Sequence, residues 1–421
     1  MTEIPKFEIP LETGHVNWFK VPTRIFFEPH SIRYLCELKA VKKIFIISDH
    51  QVYELGYVNR VMQVLRRRKN PVEIEIYIDV PIEPTMKAVK EALEVMQTYQ
   101  PSHIIGIGGG SVMDAAKMMW MLYEHPEISL EEMPNKFKNL HENVFENPIM
   151  DEKSRLVCIP TTTGTGSEVS PFCVLVDEKT NKMHSLASFS FIPTIAIVDP
   201  SFTETLPKRN VADNGFDMLT HGIESFISKY SNDFSDGMAL ESLRIILNEF
   251  ANSYNGIEDS RIQMHNASTI AGMSHGNGYL GIAHALAHKI ADFYHIHHGR
   301  ICGILLPHII RFNAQKPEKE ELVQLKPYNV MEKFEKICER TAIPINGNAA
   351  ETIAKKCEEL LIATESSTGF EECGISEDDW NEKIKIIAKN AEEEEYNNFN
   401  PRHATVEELE MILKNAFKKI N

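Results

Sequence analysis

The stretch GIAHALAHKIADFYHIHHG, residues 281–299, holds five histidines: His284, His288, His295, His297 and His298. Upstream, NGFDMLTHGIES sets Asp217 and His221 four residues apart. On a helix, residues four apart share a face. Asp217 with His221, and His284 with His288, therefore each present two donor atoms side by side. One carboxylate with several imidazoles suits a borderline divalent ion such as Fe2+ or Zn2+. A single histidine is more often a satisfied polar residue, but paired spacing on two apolar helices argues for a metal. Spacing alone does not choose among the five histidines.

Two loops offer a different chemistry. GIGGGSVMDAAK follows a run of β-forming residues and opens a helical one. Gly108, Gly109, Gly110 and Ser111 would let backbone and helix N–H groups approach a pyrophosphate. Glycines also serve an ordinary tight turn. The spelling is not G-x-G-x-x-G, because Ser111 stands where the last glycine belongs, so this is not the usual dinucleotide fingerprint. PTTTGTGSEVS adds Thr161, Thr162 and Thr165, whose hydroxyls suit ribose, phosphate or a nicotinamide amide. Asp49 ends the strand-like IFIISDH. There it can accept ribose hydroxyls and repel a 2′-phosphate, favouring NAD over NADP, or it can simply cap a helix.

These groups need elements to hold them. KKIFIIS, VEIEIYIDV, SHIIGIGGG, SRLVCIPTTT and PTIAIVD read as buried strands, with helices between them. MKAVKEALEVMQTY places Met86, Val89, Leu93 and Met96 on one helical face. Pro84 suits the first turn of that helix. Buried strands alternating with helices predict a mostly parallel, doubly wound sheet. After IVDP the strand signal stops, and amphipathic runs such as AAETIAKKCEELLIA continue to the end. Thr405 and Glu408 form a capping box for TVEELEMILKNAF. The expectation is an α/β domain over 1–200 and an all-helical domain over 201–421.

Composition narrows the classes. A chain of 421 residues exceeds one typical core, consistent with two domains. A net charge of −16 argues against nucleic acid and anionic membranes. The seven cysteines are scattered without a C-x-x-C pair, which reads as reduced thiols in a cytoplasm. The start, MTEIPKFEIPLETG, has neither a basic nor an apolar leader segment. No apolar run approaches the ~20 residues that span a bilayer.

GGGSVMDAAK, PTTTGTGSEVSPF, FDMLTHGIES, GIAHALAHKIADFYHIHHG and the NPR at 400–402 resemble the motifs of the iron-dependent alcohol dehydrogenases. The resemblance runs from about residue 17 to the C-terminus. It is nearest to the alcohol dehydrogenase half of bifunctional aldehyde–alcohol dehydrogenases, as MWMLYEHPEISLEEM and its following insertion suggest. It implies the dehydroquinate synthase-like architecture, with an NAD-binding domain before a helical metal-binding one. By position it implies Asp217, His221, His284 and His298 as ligands of Fe2+, with Zn2+ as the other candidate. It makes His288 a pocket residue beside the nicotinamide, and gives His295 and His297 no role. Asp49, Gly108–Ser111, Asp114, Thr161, Thr162 and Thr165 match cofactor positions. Phe172 and His275 face the substrate, and His275 departs from a frequent Phe. Glu83, where Asp or Asn is usual, predicts a weaker helix cap.

The implied reaction is reversible reduction of a short-chain aldehyde by NADH, acetaldehyde to ethanol foremost, in a cytoplasmic homodimer. His284 serves as ligand and His288 as a proton carrier near neutral pH. An aldehyde dehydrogenase domain is a further expected partner. The alternatives are a zinc polyol dehydrogenase of the glycerol type, and a structural assembly module of an aldehyde–alcohol dehydrogenase.

Overall fold

The computed structural model describes residues 18–137, 147–178, 182–316 and 329–420. The leader-free reading of MTEIPKFEIPLETG and part of the insertion after Met133 lie outside those residues. Eight strands are present among them: β1 (Arg24–Phe27), β2 (Lys43–Ile47), β3 (Glu73–Tyr77), β4 (His103–Gly108), β5 (Arg155–Pro160), β6 (Phe172–Asp177), β7 (Lys182–Ala187) and β8 (Ile195–Val198). Six of these form one sheet in the order β1-β8-β5-β4-β2-β3, with every neighbouring pair parallel. β6 and β7 pair antiparallel as a separate ribbon.

The near-continuous apolar runs are explained by two covered faces. Ile44, Ile46, Ile105, Ile107, Val157 and Ile159 point to one core with Val58 and Val61 of α2 (Tyr57–Leu65), which follows the short α1 (His50–Glu54). Their neighbours Phe45, Ile47, Ile104, Leu156 and Cys158 point to the other. That second core takes Val89 and Met96 of α3 (Met86–Tyr99) and Ala116 and Trp120 of α4 (Gly110–Glu124). The sheet is thus doubly wound, as expected.

The start of α3 differs from the sequence reading. Thr85 is its N-cap, and the hydroxyl accepts from the Ala88 N–H at 3.2 Å. Pro84 therefore stands before the cap, not in the first turn, and its carbonyl accepts from Val176 N–H at 2.8 Å. Glu83 is not the cap at all, so no weakening follows from it. A β-branched hydroxyl one residue later caps better than either candidate.

Connectivity leaves a crevice. The chain leaves β2 for β3 on one side, then returns through α3 to β4 on the other side of β2. The carboxyl ends of β2 and β4 flank this switch point, where open α/β sheets bind ligands. Asp49 follows one end and Gly108–Ser111 the other.

After β8 and the short α5 (Met133–Lys136) earlier in the chain, the remainder is helical. The helices are α6 (Lys208–Ile227), α7 (Asp233–Tyr254), α8 (Glu258–Gly278), α9 (Ile282–Ala291), α10 (His298–Asn313), α11 (Val330–Thr341), α12 (Ala349–Ala363), α13 (Glu377–Glu392), α14 (Glu395–Phe399) and α15 (Val406–Asn415). The capping box of Thr405 and Glu408 opens α15 as predicted. Among the described residues no helix is long and apolar enough to cross a membrane. α6 is buried on all sides from Ala212 to Ile227. It is the axis on which the site is built.

Candidate metal centre and nucleotide cleft

A buried polar side chain must find a partner, so the polar residues of α6 can be followed one by one. Asp213 pairs with Arg300. Thr220 bonds the Phe216 carbonyl at 2.7 Å, and Ser225 bonds Ser274 at 2.7 Å. Glu224 accepts from the Ala283 N–H at 2.6 Å and meets His284 Nδ1 at 2.6 Å. Asp217 Oδ1 finds no hydrogen bond, although it is buried, and neither does His284 Nε2.

Around that carboxylate oxygen stand three ring nitrogens: His221 Nε2 at 3.6 Å, His284 Nε2 at 3.7 Å and His298 Nε2 at 3.7 Å. These separations are too long for hydrogen bonds. They match two donors sharing one ion, which stand roughly 3.4–3.7 Å apart when each bond is about 2.1 Å. The residues present therefore fit a divalent cation. Asp217 and His221 come from α6, His284 from α9, and His298 from the first residue of α10. The close approach of α10 to α6 requires Gly299, where an added Cβ would lie 1.9 Å from the Asp213 carbonyl oxygen.

The electrostatics agree. Burial alone would raise the Asp217 carboxyl, yet His221, His284 and His298 hold it well below the usual carboxylate range. Burial pushes His221 down to about 4 and His298 to about 3, so both are neutral and their nitrogens can donate lone pairs. Burial also works against protonation of His284, but Asp217 and Glu224 lift it to about 9.

Asp217, His284 and His298 lie with Cys302 within 4.8 Å of one another, and His221 reaches this group at Asp217; the other three histidines of the stretch do not join them. His288 packs edge-on to His284, with ring centroids 6.4 Å apart. His295 and His297 are exposed. The rings form a ladder. Phe172 stacks on His275 (5.7 Å), His275 on His221 (4.2 Å) and His221 on His284 (4.9 Å). His298 then stacks on His288 (5.4 Å), which meets Tyr396 at 5.6 Å. Burial, His284 and Lys289 push His288 down to about 3. A bound cation would push the same way.

His275 also connects the ladder to the nucleotide loops, since its Nε2 lies 3.3 Å from the Thr165 carbonyl oxygen. The two loops interlock. Thr161 N–H bonds the Gly108 carbonyl at 2.9 Å, and a Cβ on Gly110 would lie 3.0 Å from Thr165. Thr162 lies over Gly109. Asp114 sits beneath them, with Oδ1 accepting from Ser167 at 2.6 Å and Oδ2 from Val174 N–H at 3.0 Å. Both its oxygens are engaged, so it braces the cradle. Lys117, fully buried, donates to the Ser170 and Phe172 carbonyls and fixes Phe172. Asp49 caps α1 by accepting from Val52 N–H at 2.8 Å.

Glu224 was missed in the sequence, although it lies seven residues after Asp217 and three after His221, on the same face. Cys302 was missed too. Its Sγ lies within 4.8 Å of the donor atoms of Asp217, His284 and His298. Burial, reinforced by Asp217 and Glu224, pushes this thiol well above its ordinary range.

An open parallel sheet with a glycine-lined switch point is joined here to helices that gather one aspartate and three histidines, a candidate nucleotide cleft beside a candidate metal centre. Residues 22–200 match the iron-containing alcohol dehydrogenase model, and residues 211–417 match the C-terminal model of the Fe-containing alcohol dehydrogenase family. Aldehyde-alcohol dehydrogenase 2 of Entamoeba histolytica is 48% identical over 412 residues, covering 97% of this chain and 47% of that protein. The chain thus spans about half the length of that curated relative. NADPH-dependent butanol dehydrogenase of Clostridium saccharobutylicum is 31% identical, covering 94% of this chain and 97% of the relative. Among solved structures, a 1,3-propanediol oxidoreductase superposes with a TM-score of 0.84 at 27% identity, covering 96% of this chain and all of the other. The chain belongs to the iron-containing alcohol dehydrogenase family.

Proposed function

We propose that the chain reversibly reduces short-chain aldehydes, acetaldehyde to ethanol foremost. The observation that carries this reading is the single buried carboxylate oxygen of Asp217 ringed by three histidine nitrogens at 3.6–3.7 Å. When bound, Fe2+ would supply Lewis acidity towards the substrate oxygen, and NADH the hydride.

The chain's own groups prepare that chemistry. Asp217 offsets one charge of the ion, while three neutral imidazoles leave it electrophilic. Glu224 keeps the His284 proton on Nδ1, so that Nε2 faces Asp217. Gly108–Ser111 and the α4 N-terminus receive the pyrophosphate. Asp49 accepts from the ribose and repels a 2′-phosphate. Thr161, Thr162 and Thr165 orient the remainder of the cofactor. His288, held neutral, positions the nicotinamide side by a hydrogen bond. Phe172 and His275 wall the substrate pocket.

A polyol substrate is the second reading, and His275 favours it. Its Nε2–H donates to the Thr165 carbonyl, which leaves Nδ1 a buried acceptor without a partner. An additional substrate hydroxyl would satisfy that atom. The expected setting is a cytoplasmic homodimer, with an aldehyde dehydrogenase domain as partner. The double length of the relative named aldehyde-alcohol dehydrogenase supports that pairing.

The test is His284→Ala. It removes bound metal and turnover while NADH still binds; activity retained by the metal-stripped variant refutes the ligand assignment. Rates with acetaldehyde, butanal, lactaldehyde and glycerol then rank the two readings.

A further inference from the structure

Among the described residues, Cys302 is the one buried cysteine in a cluster of ligand-type atoms. It follows His298 by one turn of α10, and its Sγ is 3.6 Å from His298 Nε2. Its side chain has no solvent contact. A buried free cysteine is usually a small hydrophobe. Here the neighbouring atoms include Asp217 Oδ1 and His284 Nε2, both buried and both without a hydrogen bond. The cluster of Asp217, His284, His298 and Cys302 closes within 4.8 Å. A sulfur bound at about 2.3 Å and a nitrogen at about 2.1 Å on one ion stand roughly 3.6 Å apart at a tetrahedral angle. That is the separation of Cys302 Sγ from His298 Nε2.

We propose that Cys302 is a protein ligand of the ion alongside Asp217, His284 and His298, bound through its sulfur on the interior side. This rests on the metal reading above. On binding, the S–H bond breaks, a sulfur–metal bond forms and the proton leaves to solvent. The thiolate and the Asp217 carboxylate together neutralise the dication. A thiolate also softens the donor set, shifting its preference towards Zn2+ and Co2+ relative to a set of nitrogen and oxygen alone.

The test is cobalt substitution of the full-length apoprotein. One equivalent of Co2+ should produce both visible ligand-field bands and a near-ultraviolet sulfur-to-cobalt charge-transfer band. In Cys302→Ser the charge-transfer band is lost, the ligand-field bands remain, and one fewer proton is released per ion. X-ray absorption of wild-type protein, which needs no variant to fold, should show one sulfur at about 2.3 Å. Stoichiometric cobalt without sulfur in its shell, or a charge-transfer band that survives Cys302→Ser, overturns this inference alone. Failure to bind stoichiometric cobalt overturns the metal reading and this inference with it.

Discussion

Replacing Glu224 with Gln changes one atom type behind the metal centre and nothing in front of it. In the native site the two carboxylate oxygens divide their work: one receives the Ala283 N–H and the other the His284 Nδ1–H, each at 2.6 Å. A carboxamide has one acceptor and one donor group. Either Ala283 or His284 then faces an N–H2, or the imidazole moves its proton to Nε2 and blocks the lone pair that should meet the ion. Leaving one buried donor unsatisfied costs about 1–3 kcal/mol. Loss of an outer partner of a ligating histidine typically weakens metal binding about 10–100-fold, or about 1.4–2.7 kcal/mol. The two estimates overlap. The assay is competition between apoprotein and a chromophoric chelator for Zn2+, with circular dichroism to establish that the variant is folded. A folded Glu224→Gln protein whose zinc dissociation constant stays within about twofold of wild type would refute the assignment of Glu224 as the group that orients His284.

Three further outcomes follow from the geometry. Asp49→Ser keeps a side-chain cap for α1 while removing the negative charge, so the ratio of NADPH to NADH efficiency should rise about fivefold, from about 1 kcal/mol of repulsion at 4 Å in water; an unchanged ratio would detach Asp49 from the ribose. Gly299→Ala forces α10 away from the Asp213 carbonyl and should cost about 3 kcal/mol in a melting experiment together with metal affinity; an unaltered melting temperature contradicts that packing. His103 and His265 are pushed down to about 4, chiefly by burial, from the ordinary 6.5. Below pH 6.5 the unfolded chain takes up their protons and the folded chain does not, so stability should fall by about 1.4 kcal/mol per pH unit for each as pH drops towards 4, and stay level above 6.5. A melting temperature that is flat across that window would count against it.

Much of the fold was legible because burial on two faces writes itself as continuous apolar runs. IFII and HIIGIG could be little else. β1 escaped notice because RIFF is four residues with exposed ends, and its identity comes from pairing with β8, far along the chain. β6 and β7 escaped because their ribbon belongs to neither periodic pattern. The i, i+4 spacing revealed Asp217 with His221, and His284 with His288, as ligand-type pairs, without choosing between the members of the second. It could not select His298, because that choice depends on the chain reversing between α9 and α10 and on the missing side chain at Gly299. Only the family resemblance named it. Glu224 was legible in principle, as an acid at the third step of the same α6 face. Cys302 was not distinguishable from six other scattered thiols until α10 had a neighbour.

The four histidine and aspartate grips are not equally sealed. The side chains of Asp217, His221 and His284 are 3–7% exposed, and that of His298 is 35% exposed. Of these four side chains, His298 is thus the one through which the centre meets solvent, and a chelator or oxidant would first encounter that ring. A ligand that covers His298 should then slow loss of metal to a chelator.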